Sequence, residues 1–288
     1  MKRILVTGGN GQLGQELKRM APLHPHFDWI FLNRSSLDIT VPAQISTVFH
    51  DFSPDVCINC AAYTKVDAAE SDPVLSNSIN THGVENLVNE CTKFNARLIH
   101  FSTDYVYNPE EPIPIDEDFA CTPQSNYGLS KLNGDLAVQS SKVPWLIFRV
   151  SWLYSSFGSN FVKTMIRLGR EKDTIRVVND QVGSPTYARD LAEVVITSLG
   201  AKLDLWNEVY HYSNQGRVSW MDFAKEIFRL MNYDCKVIPL TSEEFGAAAK
   251  RPAWSVLSTK KIHDAFGLVA KDWKKSLKDC VEELTSLN

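Results

Sequence analysis

Apolar and polar positions in the first half of the chain follow two alternating rhythms. Short, mostly apolar runs at 3–7, 29–32, 56–60, 98–102 and 146–150 have the length and composition of strands. Between the third and fourth runs, Val84, Leu87, Val88 and Cys91 keep the i, i+3, i+4, i+7 spacing of a helix with one buried face. Strands that are apolar nearly throughout, separated by helices, predict a parallel sheet covered on both faces. The expected fold is doubly wound α/β. Residues 105–125 are rich in proline and acidic side chains and predict a loop. Later, Trp220, Phe223, Ala224, Ile227, Phe228 and Met231 mark an amphipathic helix opened by the capping pair Ser219 and Asp222. The rhythm is less regular after residue 150. It predicts a first domain over 1–150 and a smaller one, mainly 151–288, with some elements returning to the first.

Composition narrows the class of molecule. With 44% hydrophobic and 22% charged residues, the 288-residue chain falls among ordinary globular proteins. A formal net charge of -4 argues against nucleic acid as a partner, although a cleft can still attract a small anion. No stretch approaches the ~18 apolar residues that span a bilayer. The opening MKRILVTGG is too short in its apolar part for a secretory signal and reads as a first strand. The six cysteines lack close metal-ligand spacing, and Cys57 and Cys60 lie within a strand-like run. A reduced, cytoplasmic protein is expected.

Gly8, Gly11 and Gly14 follow the first strand directly and stand where a helix begins. Glycines there permit a tight turn and a close backbone approach, and the helix start offers amide donors to a dinucleotide pyrophosphate. The spacing is GxxGxxG, one residue wider than the general fingerprint. About 20 residues on, an acid would bind the ribose of NAD. Here Asn33, Arg34, Ser35 and Ser36 stand instead, a set that suits the 2′-phosphate of NADP, although Arg34 as a solvated side chain remains open. NADPH is the expected cofactor, with NADH as the alternative. Asp38 and Ile39 follow; Asp38 either meets the adenine or caps the turn at 40–42.

Tyr127 and Lys131 are four residues apart, on one face if the segment is helical. An ammonium beside a phenol lowers its pKa from ~10 toward neutrality, which makes the phenol a proton donor. The fourth strand ends at Ser102-Thr103-Asp104, and ligands of open α/β sheets bind at such carboxyl ends. A hydroxyl there, from Thr103, can stabilise a developing alkoxide.

Glycine turn, strand-end hydroxyl and Y-x-x-x-K, in this order, resemble the extended branch of the short-chain dehydrogenase/reductase family. NCAAYTKVDAAE (59–70), HFSTDYVY (100–107), FRVSWLY (148–154) and VVNDQVGSPTYARDLA (177–192) are similar to the dTDP-4-dehydrorhamnose reductases within it. That resemblance covers nearly the whole chain. It implies a Rossmann-like sheet with a smaller C-terminal substrate domain, acting as a monomer or homodimer on a nucleotide sugar. It implies pyrophosphate contacts from Gly11, Gln12 and Leu13, and nicotinamide-side contacts from Ala62, Tyr63 and Thr64. Tyr127 and Lys131 would also touch the cofactor. Thr103, Asp104 and Trp152 would contact the sugar nucleotide, Arg251 its phosphates, and Asn80 would belong to a proton relay. The implied reaction reduces the 4-keto group of dTDP-4-dehydro-L-rhamnose, with Tyr127 protonating the oxygen, Lys131 tuning Tyr127 and Thr103 steadying the reacting oxygen. Some members bind magnesium between subunits through carboxylates, and Glu16, Asp190 and Glu283 are the residues placed for it.

Two other readings compete. Sugar-nucleotide dehydratases often carry Thr-Asp-Glu at the strand end, where Tyr105 stands here in place of Glu; epimerases and other reductases share the fold. A regulatory subunit of methionine adenosyltransferase is a non-catalytic NADP-binding relative.

Overall fold

The N-terminal apolar run becomes β1 (Lys2–Thr7), and the glycine segment after it opens α1 (Gln12–Met20). The computed structural model, which describes residues 1–286, continues the alternation. β2 (Phe27–Phe31), α2 (Pro42–Phe52) and β3 (Val56–Asn59) come next. They are followed by α3 (Val66–Ser71), α4 (Pro73–Asn77), a π-helical turn at Ser78–His82 and α5 (Gly83–Phe94). β4 (Arg97–Thr103), α6 (Asn126–Gln139) and β5 (Trp145–Val150) close this half. Each expected strand is present, with ends displaced by at most two residues.

Beyond β5 come β6 (Leu153–Tyr154), α7 (Phe161–Glu171), β7 (Thr174–Val178), β8 (Val182–Gly183), β9 (Thr186–Tyr187) and α8 (Ala188–Ser198). β10 (Glu208–Tyr212) then pairs with β5, which gives a six-stranded parallel sheet in the order β10-β5-β4-β3-β1-β2. The remaining elements are β11 (Val218–Ser219), α9 (Trp220–Met231), β12 (Lys236–Leu240), α10 (Ser242–Phe245), β13 (Trp254–Ser255), α11 (Lys260–Phe266) and α12 (Trp273–Ser286). Among the described residues, no helix is long and apolar enough to cross a membrane.

Both sheet faces are dry because alternate side chains leave in opposite directions. Ile4 and Val6 pack with Leu13 and Leu17 of α1 and with Leu191 and Val195 of α8. Leu5 points the other way, into a core with Phe49 of α2 and Leu87 and Cys91 of α5. Cys57 is buried in that second core, whereas Cys60, one residue past β3, packs partly against the first. A third cluster joins Phe223 and Ile227 of α9 to Leu277 of α12 and Val162 of α7. Ser219 accepts the Asp222 amide at 3.1 Å, so the expected cap is formed. The 105–125 loop is pinned rather than loose. Ile115 bridges to Leu257, and the Trp254 indole donates to the Ile113 carbonyl at 2.7 Å.

Candidate active site

Strand order reverses between β1 and β3, so the loops leaving their carboxyl ends part and open a crevice. A cavity of about 430 Å³ lies there, lined by Gly8 and Gly11, by Asn33, Arg34, Asp38 and Ile39, and by Ala62, Tyr63 and Thr64. Gly8 has φ +62°, and a Cβ there would fall 2.6 Å from the Ala61 nitrogen. A Cβ on Gly14 would lie 2.6 Å from the Gly8 carbonyl oxygen, so only glycine lets α1 start this close to β1. Gly11 is the extended N-cap and places no side-chain acceptor on the first amides of α1, which leaves them for an anion. These features fit a dinucleotide.

Not every expected cofactor residue turns its side chain to the cavity. Gln12 accepts from Asn160 Nδ2 at 3.0 Å, and Leu13 is buried in the core, so each can reach a pyrophosphate only by its backbone. Asn33 Oδ1 accepts the Ser35 amide at 2.9 Å and shapes the turn. Arg34 donates from Nε to Asp38 Oδ2 at 3.0 Å. Asp38 Oδ1 takes both the amide (2.9 Å) and the hydroxyl (2.7 Å) of Thr40. Burial works against the Asp38 charge, but the Thr40 and Arg34 bonds hold the carboxyl below its ordinary range. Asp38 thus both caps this turn and lines the cavity.

The catalytic candidates converge at the carboxyl end of β4. Ser125 caps α6 by accepting the Gly128 amide at 3.1 Å. A Cβ on Gly128 would sit 2.4 Å from the Tyr105 carbonyl oxygen, so the helix lies directly on the turn after β4. That approach puts the Thr103 hydroxyl opposite the Tyr127 phenol. Burial pushes Tyr127 up to about 12; facing Thr103 opposes this, while Asp104 and Asp135 add to it. Lys131 donates to the Phe101 carbonyl at 2.6 Å and approaches His100 Nε2 at 3.4 Å. Burial brings Lys131 down to about 8, opposed by Asp135. Lys131 is not among the groups that act on the Tyr127 phenol here. The ammonium is turned to β4, and desolvation governs both groups.

Asp104 is buried and pushed up to about 6, chiefly by desolvation. Thr103 Oγ1 donates to its Oδ1 at 3.0 Å. Its Oδ2 has no hydrogen-bond partner among the described residues, although the Ser255 hydroxyl faces the carboxyl. Trp152 has left-handed φ of 48°, which a tryptophan rarely adopts, and its indole lies against Gly183. Trp220 stacks on it with centroids 3.5 Å apart and planes within 6°. Arg251 pairs with Asp67 and lies beside Tyr105, whose ring meets Tyr127 edge-on at 5.5 Å.

Asn80 sits in the π-helical turn. Its Oδ1 accepts the Tyr63 amide at 2.9 Å, and its Nδ2 donates to the Tyr63 carbonyl and Ser130 Oγ, each at 3.0 Å. It clamps the loop after β3 to α6, with both ends of its amide engaged. The three carboxylates considered for magnesium do not meet. Glu16 is buried against Arg189, Arg19 and Ser155, and Glu283 pairs with the same two arginines. Asp190 lies apart, bound by Lys271, Asn214 and Ser276. Cations and donors already satisfy these groups, and no cluster fit to hold a metal ion occurs among the described residues. Magnesium is not supported.

Sequence reasoning did not single out Ser255, Asp67, Trp220 or Gly183 as site residues, although Asp67 and Gly183 lie in segments that carry the resemblance and Trp220 lies on the amphipathic helix face. It also passed over Asp135, whose spacing from Lys131 was readable.

Residues 1–286 match the family described as RmlD substrate binding domain. The chain is 36% identical over 289 residues to dTDP-4-dehydrorhamnose reductase of Aggregatibacter actinomycetemcomitans, covering 97% of this chain and 98% of that one. The solved dTDP-4-dehydrorhamnose reductase of Clostridium acetobutylicum is similar at 40% identity with TM-score 0.93, covering 98% and 99% of the two chains. That of Bacillus anthracis, solved in complex with NADP, is similar at 41% identity with TM-score 0.91, covering 98% and 100%. Together with the parallel sheet and its crevice, these matches make the chain a member of the RmlD substrate binding domain family.

Proposed function

We propose that the chain is an NADPH-dependent reductase converting dTDP-4-dehydro-L-rhamnose to dTDP-L-rhamnose. The observation that carries this reading is that Tyr127 faces Thr103 at the carboxyl end of β4, with Lys131 one helical turn on and bonded to the Phe101 carbonyl, in a fold whose glycine turn lines a crevice. Membership in a family whose relatives are named for this reduction supports the substrate.

Gly8, Gly11 and the α1 amides would hold the pyrophosphate, Asn33 to Ile39 the adenosine end, and Ala62 to Thr64 the nicotinamide end. Arg34, paired with Asp38, is the candidate for the 2′-phosphate, and NADH serves as the alternative donor. Bound there, the dihydronicotinamide supplies a hydride to the keto carbon. Tyr127 donates its proton to the keto oxygen, and Thr103 holds that oxygen within reach. Lys131 anchors the nicotinamide ribose. Asp104, Trp152 and Arg251 orient the sugar nucleotide. At the position where a dehydratase needs a carboxylate stands the buried Tyr105, which is held well above its ordinary pKa and so stays a neutral phenol that cannot serve as the carboxylate base at neutral pH. The six cysteines are free thiols, which suits the reducing cytoplasm.

The test is NADPH oxidation with dTDP-4-dehydro-L-rhamnose against the corresponding UDP and GDP keto sugars. The dTDP sugar should be fastest. NADPH binding without oxidation by any keto sugar, together with co-purification of a synthetase, would replace this reading with the regulatory one.

A further inference from the structure

Tyr127, Lys131 and Asp135 recur at four-residue intervals on one face of α6. We propose that Asp135 is the positioning residue of Lys131: fixed by Arg149, its carboxylate keeps the buried ammonium protonated and in place. This rests on the reductase reading, in which Lys131 must carry a charge to hold the ribose.

All three polar groups are sealed from solvent. Lys131 is 2% exposed, while Asp135 is fully buried and Arg149 nearly so. Arg149 Nε donates to Asp135 Oδ2 at 3.1 Å, and Arg149 Nη1 donates to the Tyr107 hydroxyl at 2.6 Å. The Tyr107 hydroxyl in turn meets His211 Nε2 at 2.7 Å. One carboxylate oxygen is thus locked to β5 and the pinned loop. The other, Oδ1, has no hydrogen-bond partner among the described residues, although the Ser102 hydroxyl faces the carboxyl, and it looks toward β4, 3.8 Å from His100 Nε2, the same nitrogen that Lys131 approaches. Burial pushes the Asp135 carboxyl up, and Arg149, Lys131 and the Ser102 hydroxyl oppose that, so its charge is kept by the cations beside it.

The groups facing Lys131 leave no substitute. His100 from β4 is held neutral by burial and by Lys131 itself. Ser102 from β4 faces Asp135 and is uncharged, and Tyr127 from the same helix is a neutral phenol. Arg149 from β5 stands behind Asp135 with the same sign as Lys131. Cys121 from the loop beside Arg149 is pushed up by burial and stays a thiol. Among the described residues, Asp135 is the charge that favours the protonated lysine.

A mere fold staple between α6 and β5 would look similar, so the experiment must read the charge state of the lysine. The kcat–pH profile is measured for the wild type, Asp135→Asn, Asp135→Glu and the double variant Asp135→Asn/Arg149→Met. The double variant removes the whole pair, so no lone guanidinium is left buried. Loss of the carboxylate should move the alkaline limb down by about 1–3 pH units in Asp135→Asn and by less in the double variant, which also loses the like-charged Arg149, with Asp135→Glu restoring most of it. NADPH binding followed by fluorescence against pH should break at the same lowered pH. It should do so in a Tyr127→Phe background too, where the phenol cannot be the titrating group. An alkaline limb and binding break at the wild-type pH in the double variant, with only a uniform loss of kcat or melting temperature, would overturn the proposal. A wild type that binds NADPH with the break but reduces no keto sugar would sink the reductase reading and leave this one standing.

Discussion

Arg251 and Asp67, 184 residues apart, meet through two hydrogen bonds, Nη2 to Oδ2 at 2.6 Å and Nη1 to Oδ1 at 3.0 Å. Asp67 lies in the first turn of α3, just after the loop of Ala62, Tyr63 and Thr64 that borders the crevice. The pair therefore carries the segment before β13 to the mouth of the site and orients the guanidinium there. A planar fork suits both Asp67 and a phosphate, and a lysine cannot reproduce it. Arg251→Ala should raise the KM for the sugar nucleotide about 10–100-fold, the worth of one or two charge-assisted bonds, with the NADPH KM unchanged. Arg251→Lys should recover little. Steady-state kinetics with each substrate varied in turn checks both statements, and an equal rise in the NADPH KM would assign Arg251 to the cofactor instead.

Tyr127→Phe preserves the ring that packs on Tyr105 and removes the hydroxyl facing Thr103. Loss of a general acid costs about 10²–10⁴-fold in rate. The expected outcome is that loss in kcat with NADPH affinity retained, because the glycine turn is untouched. Turnover close to the wild type would remove Tyr127 from the chemistry.

The glycine turn makes a graded prediction. Gly14→Ala drives a Cβ within 2.6 Å of Gly8 O and 2.8 Å of Gly9 Cα, all backbone that cannot yield. Overpacking of this kind costs about 1–3 kcal/mol and displaces the start of α1. NADPH binding should be lost, with a lowered melting temperature. At Gly11 a Cβ meets only the Gly8 oxygen, at 3.2 Å, and the backbone is extended. Gly11→Ala should fold normally and weaken NADPH by crowding the phosphate. Calorimetric titration beside thermal melts separates the two cases, and equal melting temperatures would contradict the geometry.

Asp104, pushed up to about 6, sets an acid limb. In its proposed role as acceptor for a sugar hydroxyl the ionised form is the stronger acceptor, and that charge is lost as the pH falls through that value. Catalytic efficiency toward the sugar nucleotide should therefore drop below about pH 6. The stability sign is separate: a carboxyl whose pKa is raised by folding favours the protonated native state, so its own contribution declines as the pH rises from its unfolded value through about 6. Asp104→Asn should flatten the acid limb and ease that decline. A limb unchanged in the variant would point to another group.

Residue order alone determined the parallel sheet, the glycine turn, the strand-end Thr103 and the Tyr127–Lys131 spacing. Each is local: a strand's apolar run, a helix's four-residue repeat and a turn's need for glycine are written within ten residues or so. Asp135 belonged to the same repeat and could have been read there. Tertiary structure decided the rest. Which way the Lys131 ammonium points depends on the Phe101 carbonyl and on a desolvation that no spacing reveals. The fate of Glu16 and Glu283 depends on arginines supplied by α1 and α8, which turned candidate metal ligands into a closed ion network. Ser255, Trp220 and the Arg251–Asp67 pair reach the site only because β13, α9 and α3 are brought to it by packing, and packing joins residues that the chain keeps far apart.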